Sequence, residues 1–111
     1  MHFAFDEFGD IREGVRAVCA DFPDEYHRKV DHDRAYPEAF VDALTKAGWM
    51  AALIPEEYGG SGLSLTAASV IMEEINRAGG NSGACHGQMY NMNTLIRHGS
   101  EEQRQTYLPK I

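Results

Sequence analysis

The side chains of this 111-residue chain that could bind a metal, move a proton or attack a substrate are five histidines, two cysteines and 17 carboxylates. His27 and His32 flank a charged segment with Asp31 and Asp33, but a spacing of five does not put two ligands on one helix face. That segment reads as a solvated loop. His86 and His98 stand twelve residues apart, more than three helical turns, and cannot share one metal ion. Glu73 and Glu74 are neighbours, so on a helix they point to different sides and make no facing acid–base pair. Ser61 and Ser82 have no recognisable histidine–acid arrangement beside them. Gly59-Gly60-Ser61-Gly62 fits neither dinucleotide nor P-loop spacing and lacks the following Lys-Ser/Thr, so it reads as a tight connection and not as a phosphate cradle. The expected inventory is no catalytic residue, no metal ligand and no cofactor-binding residue.

One stretch is less bland. Gly83, His86, Gly87 and Tyr90 fall at i, i+3, i+4 and i+7 and share one helical face, with Ser82 at its start. Glycine inside a helix costs about 0.5–1 kcal/mol relative to alanine. Two glycines on one face imply that something approaches the backbone closely there, either a neighbouring helix or a ligand chain.

The elements that must position these residues are helical. Phe5, Phe8, Ile11, Val15, Val18 and Phe22 recur at steps of three and four and form the stripe of a first helix, with Pro23 just beyond it. Residues 24–36 read as a solvated connection with at most a further helical turn. Pro37 suits the first position of a second helix, whose stripe is Phe40, Ala43, Leu44 and Ala47 and whose end is marked by Gly48. Residues 49–54 form a short apolar run, and the three glycines of residues 55–62 make the clearest loop. Ser64 then caps a third helix with the face Leu65, Ala68, Ile71, Met72 and Ile75. Gly79-Gly80-Asn81 breaks the chain before a fourth helix, in which Cys85, Met89, Met92 and Ile96 step by four, three and four up to Gly99. Ser100 and Gln103 form a capping box for a last short helix stopped by Pro109. The expected fold is all-α, a compact array of four to five helices in one domain over residues 1–111.

Composition narrows the functions further. Ten basic against 17 acidic residues give a net charge of −7, which disfavours a nucleic-acid groove or an anionic membrane surface. With 43% hydrophobic and 24% charged residues, the chain has the mix of an ordinary globular domain. No apolar run approaches the roughly 20 residues of a spanning helix. Cys19 and Cys85 make no C-x-x-C and no disulfide scaffold, and the opening residues lack a secretory signal, so a reducing, cytoplasmic setting is expected.

Read together, these residues resemble the N-terminal helical domain of the acyl-CoA dehydrogenase family, over nearly the whole chain. The likeness is carried by Tyr36-Pro37, by Ala47-Gly48-Trp49, and by Leu53-Ile54-Pro55-Glu56-Glu57-Tyr58-Gly59-Gly60-Ser61-Gly62-Leu63-Ser64. Glu73-Glu74-Ile75, Arg97-His98-Gly99-Ser100-Glu101-Glu102-Gln103 and Tyr107-Leu108-Pro109 follow in order. The resemblance implies a complete enzyme that introduces an α,β double bond into an acyl-CoA thioester, passing the β-hydride to FAD and the electrons to an electron-transferring flavoprotein or another acceptor. It also implies a β-rich middle domain and a C-terminal helical domain, which hold the flavin and the catalytic carboxylate and are not in this chain, and a homo-oligomeric assembly. This segment alone is expected to bind no FAD and to be inactive. In the family the helix after the Glu-Glu-hydrophobic motif lines the acyl pocket, which points to Ser82, Gly83, His86, Gly87 and Tyr90. His86 and Tyr90 are bulkier or more polar than an open fatty-acyl channel suggests, so a short, branched or polar acyl group fits as well as a long one. The apolar, loop-like ending Tyr107-Leu108-Pro109-Lys110-Ile111 reads as a cut within a longer protein. A free-standing helical interaction module is the rival reading.

Overall fold

The computed structural model describes residues 8–111, so Phe5 of the first stripe lies outside the described residues. Among the described residues, six α-helices follow one another: α1 (Gly9–Cys19), α2 (Asp24–His32), α3 (Glu38–Lys46), α4 (Leu65–Arg77), α5 (Gly83–His98) and α6 (Glu101–Tyr107). Single 3₁₀ turns occupy Trp49–Ala51, Glu56–Tyr58 and Leu108–Lys110. The all-helical array is the one expected, with one helix more. The extra element is α2, which occupies most of the stretch read as a solvated connection. None of its residues is buried, so it carries too thin an apolar stripe to announce itself.

Helix ends sit close to where side-chain chemistry puts them. Ser64 Oγ accepts the Ala67 N–H at 3.1 Å and opens α4. Ser100 Oγ accepts from Gln103 N at 3.1 Å while Gln103 Oε1 accepts from Ser100 N at 2.8 Å, completing the capping box of α6. Pro37 lies one residue outside α3 and not at its first position. Gly48 takes φ +90° beyond α3, a conformation that a Cβ would penalise.

Two apolar clusters hold the array. The larger joins Val15 and Cys19 of α1, Phe40 and Leu44 of α3, Ala68, Ile71 and Ile75 of α4, and Cys85 and Met89 of α5. The smaller packs Ile54, Met92 and Leu108. The molecule measures 43 × 39 × 20 Å, and its thin dimension is about two helix diameters. One face of α5 is therefore spent on the core through Cys85, Met89 and Met92, and its other face is left outward.

Candidate functional site

The outward face of α5 is where the sequence-derived residues meet. His86 and Tyr90 stand one turn apart with ring centroids 5.2 Å apart in an edge-to-face contact, and Tyr90 is 57% exposed. Between them, a Cβ built on Gly87 finds no heavy atom within 4 Å. Gly83 differs, since a Cβ there would touch Asn81 Oδ1, which accepts the Gly83 N–H at 2.8 Å. Gly83 thus serves the helix start, where Ser82 occupies the N-cap without a side-chain capping bond.

The glycine loop is a connection. Gly60 N donates to Pro55 O at 3.2 Å, Ser61 N to Ala51 O at 3.3 Å, Gly62 N to Ile54 O at 2.8 Å and Leu63 N to Ala52 O at 2.8 Å. Gly59 and Gly62 use positive φ, whereas Gly60 is required because a Cβ would collide with the Ile54 carbonyl. With these N–H groups already bonded to carbonyls of residues 51–56, the loop has no row of free donors for a pyrophosphate. It does not fit the phosphates of FAD.

The histidine reading needs one correction. His32 is exposed on α2, but His27 is packed into the structure and not solvated in a loop. Its ring stands edge-on to Tyr26 at 5.3 Å and to Phe40 at 5.1 Å, and its buried Nε2 has no hydrogen-bond partner. It borders a cleft of about 540 Å³ between α2 and the α4–α5 turn, with Asp24, Arg28, Asp31, Arg34 and Asn81. Among the described residues, no group of three or more His, Cys, Asp or Glu could hold a metal ion.

The sequence reading missed a buried charge. Glu73 and Glu74 do diverge, but Glu74 turns inward and is 1% exposed. Arg16 donates from Nε to Oε2 at 2.8 Å and from Nη2 to Oε1 at 2.9 Å, and Arg12 Nη1 donates to Oε1 at 2.9 Å. The Arg16 hydrogen bonds hold the Glu74 carboxyl below the usual carboxylate range, against burial and with help from Arg12. Two signals could have found it. Glu74 is in phase with Ile71 and Ile75 on the apolar stripe, and Arg12 and Arg16 sit one turn apart beside Val15.

The described residues form an all-helical array with one outward face of α5 around Gly87. The family model of the acyl-CoA dehydrogenase N-terminal domain matches residues 6–111, and the chain belongs to that family. Mitochondrial isovaleryl-CoA dehydrogenase of Pongo abelii is 40% identical across 97% of this chain and 27% of its own length. The mitochondrial isovaleryl-CoA dehydrogenase of Solanum tuberosum is 33% identical, covering 94% of this chain and 27% of its own. Mitochondrial short-chain specific acyl-CoA dehydrogenase of Sus scrofa is 30% identical across 97% of this chain and 28% of its own length. The chain spans little more than a quarter of these relatives. No solved structure gives a significant match. Among the described residues, no helix is long and apolar enough to cross a membrane.

Proposed function

We propose that this chain is the acyl-pocket wall of a flavin-dependent enzyme that dehydrogenates acyl-CoA thioesters between the α and β carbons. Ser82, Gly83, His86, Gly87 and Tyr90 contribute the wall. The observation that carries this reading is the open space at Gly87. A mid-helix glycine that relieves no contact among the described residues keeps its cost of about 0.5–1 kcal/mol for some other purpose, and backbone approach by a ligand chain is one. The edge-to-face pair of His86 and Tyr90 adds firm walls beside that gap.

A flavin bound to the complete enzyme would supply the acceptor for the β-hydride. The glycine loop does not fit its phosphates, so this reading gives flavin binding and the catalytic carboxylate to the rest of the enzyme. The α5 face supplies shape: it excludes water from one side of the acyl group and limits how far the group reaches. The electron acceptor is an electron-transferring flavoprotein or an equivalent, the complete subunits form a homo-oligomer, and two buried free thiols suit a reducing compartment such as the cytoplasm.

The test is Gly87→Leu in the complete enzyme, read as kcat/KM over a series of acyl-CoA lengths. Each methylene that no longer fits forfeits about 0.8 kcal/mol, a roughly fourfold loss per carbon for longer chains against short ones. An unchanged length profile in a stably folded variant removes these residues from the pocket.

A further inference from the structure

Helix α5 has two faces of different chemistry. Toward the core it presents Cys85, Met89 and Met92, all buried. Outward, steps of four and three from Gly83 pass through Gly87, Tyr90, Thr94 and Arg97, with His86 beside them. No aliphatic side chain stands on that outward face. An unsubstituted alkyl chain is matched by the first kind of surface, which α5 has already spent on the core.

The polar groups beside the gap at Gly87 are unspent. The Thr94 hydroxyl donates to the Tyr90 carbonyl at 2.8 Å. Among the described residues, however, the Tyr90 hydroxyl and both ring nitrogens of His86 have no hydrogen-bond partner, and the two rings hold each other by their edge-to-face contact. Both side chains are exposed, so water serves them on the open surface. An acyl pocket that closes over this face removes that water. A phenol and an imidazole buried against methylenes alone would then be left unsatisfied, which is costly.

We propose, resting on the acyl-wall reading above, that the acyl group carries a neutral hydroxyl beyond its β carbon and that Tyr90 and His86 select it. A hydroxyl both donates and accepts, so it pairs with the phenol and with either tautomer of the imidazole. A carboxylate in the same place needs a cation. On this face the guanidinium belongs to Arg97, ten residues beyond Gly87 and about 15 Å along the helix axis from the gap. The net charge of −7 also opposes a further anion.

The experiment compares kcat/KM of the complete enzyme for γ-hydroxypentanoyl-CoA, pentanoyl-CoA and glutaryl-CoA, which differ in the polar group at the far end of a five-carbon acyl chain. The hydroxylated substrate is expected to lead. Tyr90→Phe, which removes only the hydroxyl, should cut its advantage over pentanoyl-CoA by roughly three- to tenfold, the worth of one neutral hydrogen bond. His86→Leu should cut it to a similar extent, and His86→Gln, which keeps a hydrogen-bonding group, should retain more of it. A merely structural role for the two rings would lower kcat/KM on all three substrates alike and leave their ratios unmoved, which overturns the proposal. So does a lead for pentanoyl-CoA, or one for glutaryl-CoA, which would transfer recognition to a cation. Gly87→Leu, measured alongside, separates the two readings. A shifted length profile without hydroxyl preference sinks the hydroxyl alone, whereas an unshifted profile sinks the wall and the hydroxyl with it.

Discussion

At the scale of single residues, the core contains two thiols and one carboxylate whose ionisation the fold controls in opposite directions. Burial pushes the Cys85 thiol up to about 11 from an ordinary value of 9.0, with the neighbouring Cys19 adding to the shift. A group whose folded pKa is raised keeps its full contribution below the unfolded value and loses it as pH climbs through the folded one. Stability is therefore expected to fall between about pH 9 and 11, and Cys85→Ala should flatten that alkaline slope even while its cavity lowers the whole curve. Urea midpoints across that range check it, and an unaltered slope refutes it. Glu74 runs the other way. Its carboxyl is held below 4.5, so its contribution is present above that value and disappears as acid takes the pH down through the folded pKa. A carboxylate on an apolar stripe and two arginines one turn apart are each visible in the sequence; that they pair with one another is not. Glu74 bonds to residues 58 and 62 positions away, and no local pattern reports which distant helix brings a guanidinium to a carboxylate.

At the scale of elements, glycines with similar sequence surroundings do different work, and substitution separates them. Gly60 is pinned under the Ile54 carbonyl, and the loop's amides bond back to residues 51–56. Gly60→Ala has to open that loop and is expected to destabilise by about 1–3 kcal/mol through overpacking. Gly87 has open space around it. Gly87→Ala should therefore stabilise α5 by about 0.5–1 kcal/mol. Thermal midpoints of the two variants should move apart, and a fall in both would mean that Gly87 packs against something in the folded protein. The capped and striped helices were legible because Ser64, Ser100 and the apolar steps of α1, α3, α4 and α5 are local signals. The α2 helix was missed for the converse reason. Pro23 reads as a stop after α1, yet it also opens α2 from the N-cap position, and Tyr26, His27 and Val30 are only half-buried among charged neighbours.

At the scale of the whole molecule, a slab 20 Å thin leaves several large apolar side chains uncovered. Its core is built from α1, α3, α4 and α5, while Tyr36, Leu65, Tyr90 and Tyr107 remain more than half exposed. A domain of this size buries only about 60–70% of its chain surface, and the chain spans little more than a quarter of its relatives, whose remaining length could cover such side chains. Isolated, the 111 residues should give a helix-rich circular dichroism spectrum and a marginal fold that tends to self-associate. They should also purify colourless and leave acyl-CoA unoxidised, because the glycine loop spends its amides on its own backbone. The measurements are circular dichroism, flavin absorbance after purification with added FAD, and turnover with an artificial electron acceptor. A strand-rich spectrum would refute the fold. Stoichiometric flavin with turnover would place cofactor and catalyst inside this segment, against a backbone that has already used the donors such a cofactor needs.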